Sequence, residues 1–405
     1  MIEYTIKRLG IYGDGIAEGP VFAPMTLPGE VVTGTLEGTT LGDVKIMTPS
    51  DDRVAPPCRH YKSCGGCQLQ HASDAVVAAF KTDIVAQALA AQGIQTVIRP
   101  IVTSPALSRR RATFAARRTK KGTMSGFYGC ASDTVIEVPG CQLVEPELLA
   151  ARDIAEALAE LGGSRKATLA VTVTTSRVGL DVSVTGGKPI DGPLRITLAA
   201  LCDSRGFARL TWDDEVIAQR APPVQRFGNA DVCPPPGAFL QATAHGEAQL
   251  LAAVQEAVQG AKRVIDLFAG CGTFTLPLAQ NAEVFAVEGD APMMAAMDKG
   301  WRMAKGLKTV THAARDLYRR PLLPDEFNKY DAVVMDPPRN GAEAQTAEII
   351  RSGIKRIAYV SCNPVTFARD VSQLRAGGFT LDWVQPVDQF RWSSHVELAA
   401  QLSRV

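Results

Sequence analysis

The sequence predicts an α/β protein in three parts: a small β-barrel over residues 1–52, an α+β domain over 53–235, and a doubly wound parallel sheet over 236–405. Three observations carry that expectation. Short strand-like pieces broken by Gly, Pro and Thr crowd residues 1–50. Strand-like and helical stretches mix without a regular order from about 97 to 230. Beyond the cluster Pro234-Pro235-Pro236, strands and helices alternate regularly.

The pieces EYTIKRLG, GIAEG, PVFAP and GEVVTGTLEG supply the barrel strands. A helix comes next over 75–91, with Val76, Ala79, Phe80, Ile84, Ala88 and Leu89 at helical spacing; that stripe can pack on the C-terminal domain. In the middle domain TLAVTVTT, VGLDVSV, RITLAAL and FARLTW read as strands, and 144–161 as an amphipathic helix. The C-terminal part reads as helix 244–258, strand 263–268, helix 274–280, strand 283–287, helix 292–304 and a strand near Thr309. Strands 331–335 and 356–360 come after these, with helix 343–351 between them, then helix 366–376 and strands 380–387 and 396–403. No helix separates the last two strands, so they should pair as an antiparallel hairpin at one edge.

The 405 residues are 46% apolar, enough to bury a full core, and no run is apolar for long enough to span a bilayer. Residues 1–12 show no secretory pattern, so a soluble, cytoplasmic protein is expected, without membrane association and monomeric. Net charge is +1, which leaves nucleic-acid binding to local patches. Nine cysteines in such a chain point to metal or catalytic use rather than disulfides.

Two segments fall at the carboxyl edge of the sheet, where open α/β folds bind ligands: Asp336-Pro337-Pro338-Arg339 and Ser361-Cys362-Asn363-Pro364. Cys362, beside a carboxylate at that edge, reads as a nucleophile, although a free cysteine is more often an inert packing residue. Asp336 should point into the crevice, the alternative being an ion pair with Arg339. A third loop, Ala269-Gly270-Cys271-Gly272-Thr273, leaves the strand that ends at Phe268. Its glycines permit a sharp turn and close ligand approach. Glu288, at the tip of the next strand, suits a ribose diol. The third glycine of the dinucleotide fingerprint is missing, so the loop suits S-adenosylmethionine better.

Cys58, Cys64 and Cys67 place three thiolates on a tight loop, and Cys141 is the best fourth. Four cysteines without histidine suit a [4Fe–4S] cluster or a structural zinc. Cys130, Cys202 and Cys233 read as packing residues. Residues 109–121, RRRATFAARRTKK, carry seven basic and no acidic side chains, a concentration that suits RNA phosphates, although a solvated hairpin is the usual fate of a charge run. Phe114, Phe127 and Tyr128 suit either base stacking or core packing.

The segments DLFAGCGTFTLPLA (266–279), DPPR (336–339), SCNPVTFARD (361–370) and HVE (395–397), with CRHYKSCGGCQLQH (58–71), resemble the RNA 5-methyluridine methyltransferase family, in its iron–sulfur branch acting on 23S rRNA. The resemblance covers essentially the whole chain. It implies a TRAM-type RNA-binding barrel and a Rossmann-like class I methyltransferase domain using S-adenosylmethionine. It also implies a [4Fe–4S] cluster on Cys58, Cys64, Cys67 and Cys141. In such enzymes a thiolate adds to C6 of uracil and a base later removes the C5 proton; the resemblance gives these roles to Cys362 and Glu397. Periodicity alone leaves Glu397 a solvated strand-edge carboxylate. The resemblance also places Gln241 against the ligands, and Phe268, Thr273, Glu288, Asp316 and Asp336 with the cofactor. The implied partner is 23S rRNA, with the T-loop uridine of tRNA as the alternative. A non-catalytic iron–sulfur RNA-binding protein is the alternative of another class, and the intact Cys362 and Glu397 speak against it. The chain departs from the family at Thr243, often asparagine, at Cys271, and at Arg391 to Ser394, where Pro-x-Thr is usual.

Overall fold

A computed structural model describes residues 2–405. Strands β1 (Tyr4–Leu9), β2 (Gly15–Ala17), β3 (Val21–Ala23), β4 (Val31–Glu37) and β5 (Thr40–Thr48) close a barrel in the order β1-β2-β3-β5-β4. Alternate residues turn inward, and Ile6, Ala17, Val21, Ala23, Val32 and Leu41 fill the interior. Polar and apolar contacts both fasten the barrel to the next segment of chain. Glu30, fully buried, accepts two hydrogen bonds from Arg53, at 2.5 and 2.9 Å, and one from Leu27 N at 2.8 Å. Burial opposes ionisation there, but the Arg53 guanidinium and the backbone donors still hold the Glu30 carboxyl below its ordinary range. Leu27 of the barrel packs with Leu69, Ala72, Val77 and Phe80.

Helix α1 (Asp74–Ala90) starts at Ser73, whose hydroxyl accepts from Val76 N at 3.3 Å. Its most buried positions include Val77, Lys81, Val85 and Leu89, spaced by four. Two short strands, β6 (Val97–Ile98) and β7 (Val102–Thr103), then join the C-terminal sheet rather than the middle one.

The middle sheet comprises β8 (Arg111–Arg118), β9 (Thr123–Tyr128), β10 (Val135–Ile136), β11 (Leu169–Ser176), β12 (Gly179–Thr185), β13 (Arg209–Trp212) and β14 (Glu215–Gln219), in the order β10-β9-β8-β11-β12-β13-β14. Helices α2 (Pro146–Gly162) and α3 (Gly192–Arg205) pack on it. RITLAAL lies within α3 and is not a strand. Asp191 caps that helix by accepting from Leu194 N, Pro193 sits in its first turn, and Gly206 ends it at φ +69. Leu198 and Cys202 are buried on its inner face, while the β-branched Ile196, which gave the strand-like reading, is 72% exposed. A hairpin of β15 (Gln225–Phe227) and β16 (Ala230–Val232) leads to the last domain.

That domain runs α4 (Ala244–Ala257), β17 (Arg263–Leu267), α5 (Thr275–Leu278), β18 (Glu283–Glu288), α6 (Ala291–Met303) and β19 (Val310–Ala314). It continues with β20 (Ala332–Met335), α7 (Glu343–Arg351), β21 (Arg356–Ser361), α8 (Pro364–Ala376), β22 (Thr380–Asp388) and β23 (Glu397–Ser403). The sheet order is β19-β18-β17-β20-β21-β23-β22-β6, with β7 also on β22. Hydrophobic clusters cover both faces, as a doubly wound sheet requires. β22 and β23 are antiparallel as expected, but β23 inserts between β21 and β22, and β6 and β7 cover the outer side. Helix α1 packs against α8. No helix is long and apolar enough to cross a membrane among the described residues.

Candidate active site

The two motif loops are pinned together by the chain's own polar groups. The Arg339 carbonyl accepts from Asn363 Nδ2 at 2.9 Å and from Thr366 Oγ1 at 3.0 Å. Asn363 also caps α8, accepting from Val365 N. The sheet then sets Cys362 beside the Glu397 carboxyl. In the antiparallel register of β21 and β23, Ser361 stands opposite Leu398, so Cys362 falls level with Glu397. Val387 of β22 flanks Glu397 on the other side. Strand β23 is buried on both faces, and Glu397 is 4% exposed. It is therefore not the solvated edge carboxylate that alternation alone allowed.

One cavity of about 630 Å³ joins these residues to the glycine loop. Gln241, Phe268, Thr273 and Glu288 line it, as do Asp316, Asp336, Cys362 and Glu397. Every residue predicted for catalysis or for the cofactor thus reaches one space. Phe268 has φ +60, a conformation that turns the chain out of β17 into the loop. Gly272 has φ +89, and a Cβ there would lie 2.6 Å from Met297 Cγ. Glu288 braces the loop, accepting from Gly270 N and from Asp290 N, each at 3.0 Å. Asp316 accepts from Tyr318 N at 3.0 Å.

Burial dominates the electrostatics. Asp336 opens on the cleft, yet its carboxyl is ringed by protein. Burial, with Glu397 nearby, pushes it up to about 8. Glu397 is pushed up to about 7 by burial, with the Gln389 amide opposing the shift. Burial also raises the Cys362 thiol, and Glu397 and Asp336 add to the rise, while the Arg339 guanidinium pulls the other way. At neutral pH the site therefore holds an acid that keeps its proton and a carboxylate poised between its two states.

Sequence reasoning missed Gln389. It is 2% exposed, donates to Gln241 Oε1 at 2.5 Å and accepts from Ala242 N at 2.8 Å. Gln241 in turn donates to Asp336 at 3.3 Å. A hydrogen-bonded chain thus runs from Asp336 through Gln241 to Gln389, whose amide opposes the burial-driven rise of Glu397. No spacing rule marks a glutamine just past a strand end, so the sequence held no signal for it.

A family model described as tRNA (Uracil-5-)-methyltransferase matches residues 233–405. An "uncharacterized RNA methyltransferase" of Mesorhizobium japonicum is 45% identical, covering 99% of this chain and 98% of that one. A 23S rRNA (uracil(1939)-C(5))-methyltransferase of Aeromonas salmonicida is 30% identical over 98% of this chain and 95% of its own. The chain belongs to the RNA uracil-5-methyltransferase family. Its fold matches the crystal structure of Pyrococcus abyssi tRNA (uracil-54, C5)-methyltransferase in complex with S-adenosyl-L-homocysteine, with a TM-score of 0.77, 22% identity and 99% of both chains covered. This is the α/β fold of S-adenosylmethionine-dependent methyltransferases, and the loop, the Glu288 carboxylate and the cavity's size fit that ligand.

In this uracil-5-methyltransferase family member, Cys58, Cys64, Cys67 and Cys141 line a second cavity, of about 460 Å³. Burial pushes the Cys67 thiol up to about 12, and the neighbouring thiols add to the rise. Neither carboxylates nor histidines line this cavity; its thiols stand among Tyr61, Gln68, Gln70 and Arg109. Among the described residues, no three or more His, Cys, Asp or Glu side chains converge closely enough to hold a metal ion. Cys130, read from sequence as a packing residue, is exposed and lines the same cavity. Cys202 is buried in the core of the middle domain.

The basic run divides. Arg110 pairs with Glu247 at 2.5 Å and donates to the Gln241 carbonyl at 3.1 Å, so it ties the middle domain to α4. Arg111 donates to the Gly237 carbonyl at 3.1 Å. Lys120 and Lys121 are exposed at the hairpin beyond β8. Phe114 and Phe127 stack at 5.2 Å, with Phe114 fully buried, whereas Tyr128 is 47% exposed.

Proposed function

We propose that this protein transfers a methyl group from S-adenosylmethionine to C5 of one uridine in 23S rRNA, with Cys362 as nucleophile and Glu397 as base. The observation that carries this reading is the single cavity shared by the glycine loop, the Cys362 thiol and the Asp336 and Glu397 carboxyls. The Aeromonas relative supports rRNA as the substrate. The target uridine leaves its stack, at a cost of a few kcal/mol that is smallest in loops. S-adenosylmethionine, when bound, supplies an electrophilic methyl. The chain's part is to activate the uracil. The Cys362 thiolate adds to C6, and the resulting enolate makes C5 electron-rich. Once C5 carries the methyl, Glu397 takes the C5 proton, the C6–S bond breaks, and the C5–C6 double bond re-forms with release of the thiolate. Arg339 favours the thiolate against the burial that opposes it. Gln241, Phe268, Thr273, Glu288 and Asp316 are assigned to the ligands, and protonated Asp336 to the cofactor or to a hydrogen bond with the flipped base.

In the same reading Cys58, Cys64, Cys67 and Cys141 hold a [4Fe–4S] cluster that braces the loop without entering methyl transfer. Four thiols around one cavity that neither carboxylate nor histidine lines support a cluster over a hard cation. The barrel over 1–52 and the hairpin at Lys120 and Lys121 contact RNA, and the enzyme works in the cytoplasm. The domain division at 53 and 236 belongs to the same proposal. RNA containing 5-fluorouridine tests the chemistry, since C5 then has no proton to lose. Wild-type protein with cofactor should give a denaturation-stable adduct and Cys362→Ala none; equal adducts would refute the assignment. Loss of 5-methyluridine from 23S rRNA in a deletion strain supports the substrate, and loss from tRNA alone overturns it.

A further inference from the structure

We propose that Lys81 is a positioning residue for proton abstraction by Glu397, an inference that rests on the reading of Glu397 as the base. Lys81 sits in the apolar stripe of α1 and is fully buried. Its Nζ donates to Asp388 Oδ1 at 2.6 Å and to the Phe390 carbonyl at 3.0 Å. Asp388 Oδ1 also accepts from Phe390 N at 2.9 Å, while its other oxygen is buried without a partner. A buried ion pair of this kind adds little stability over an apolar pair of the same volume. Its placement offers another reason. Asp388 ends β22 directly after Val387, the strand partner of Glu397. Gln389, held between the two Lys81 contacts, donates to Gln241 Oε1 at 2.5 Å, and its amide opposes the rise that burial gives the Glu397 carboxyl. The far side of the turn is held by the same segment of chain. The Trp392 carbonyl accepts from Gln68 N at 2.8 Å and from Leu69 N at 2.9 Å, with Trp392 itself at φ +60. Lys81 thus fixes the turn that aims Gln389, and through it the base.

Charge removal from one partner alone strands the other, so two variants are needed: Lys81→Met, and Lys81→Met with Asp388→Leu, which leaves no unpaired charge. Each is assayed on unmodified RNA with labelled cofactor. The expected result is turnover slower by about tenfold, a fraction of the ~10²–10⁴-fold that a positioned base contributes. KM for the cofactor should be unchanged, and a methylated protein–RNA adduct should accumulate on denaturing gels, because the step after methyl transfer is the one impaired. A merely structural pair would lower adduct and turnover together. That outcome, or a double variant that turns over like wild type, overturns the assignment. Normal turnover by Glu397→Gln would instead overturn the underlying reading of the base.

Discussion

Replacing Gln389 with methionine should move the ionisation of Glu397 upward without moving that of Cys362. Burial holds Glu397 at about 7, and the Gln389 amide is the group opposing that rise. A hydrogen bond to an ionised carboxylate is worth about 1.5–3 kcal/mol. At about 1.4 kcal/mol per pH unit, its loss raises the midpoint by about 1–2 pH units. Methionine keeps the length and volume of the side chain, so the strand pairing around Glu397 is preserved. Tritium release from RNA labelled at C5 of uridine reads the base, because it counts the protons that leave. With a midpoint near 7, about 10% of the base is ionised at pH 6 and about 90% at pH 8, so the wild-type rate should climb through that window. Adduct formation with 5-fluorouridine RNA reads the thiol alone, and its rise should lie at higher pH because burial raises Cys362. In Gln389→Met the first curve shifts and the second does not. A tritium curve flat around neutrality, or equal shifts in both curves, would refute the reasoning.

Asp266, fully buried beneath the glycine loop, is pushed up to about 7 by burial, despite the Thr275 hydroxyl donating to it at 2.6 Å. The folded carboxyl therefore binds its proton more tightly than the unfolded one, so its contribution to stability is complete below about pH 4 and is lost as pH rises through 7. Asp266→Asn should flatten that decline in melting experiments, by a few kcal/mol at most. On the cluster reading, the purified protein should carry iron and sulfide; Cys67→Ser should abolish both, whereas Cys130→Ser, at an exposed position, should leave both unchanged in elemental assay. Arg110→Ala should cost about 3–5 kcal/mol in denaturant unfolding, because it strands the mostly buried Glu247. Lys120→Ala with Lys121→Ala should leave stability unchanged, weaken RNA binding, and lower its salt dependence by about two counterions.

The alternating, doubly wound character and most elements of the C-terminal half were legible because strand and helix periods alternate there without interruption. The motif loops were legible as the ends of apolar strands. What brings them together was not. The insertion of β23 between β21 and β22 is a long-range choice that no local pattern encodes, and it alone makes Glu397 a buried neighbour of Cys362. RITLAAL misled because β-branched residues on the exposed face of α3 imitate a strand, while the true signal lay in the Asp191 cap and Gly206. Arg109 to Arg111 read as surface because charge runs usually are, and the acceptors that bury Arg110 lie more than 130 residues away. Lys81 did leave a trace, since a lone cation between Val77 and Val85 breaks an otherwise apolar stripe.

The Glu30–Arg53 pair and the Leu27 contacts tie the N-terminal barrel to the chain that leads into α1 and to that helix. An RNA-gripping module on a slack tether would search a volume. One bolted to the same helix that braces the thiolate's neighbourhood instead sets a fixed span between grip and reaction point. On the proposed reading of the barrel as an RNA contact, such a protein would work as a caliper, selecting nucleotides by how far they stand from a recognised feature in the folded transcript, and insertions that alter this length should abolish modification even when the target nucleotide and its flanks are untouched.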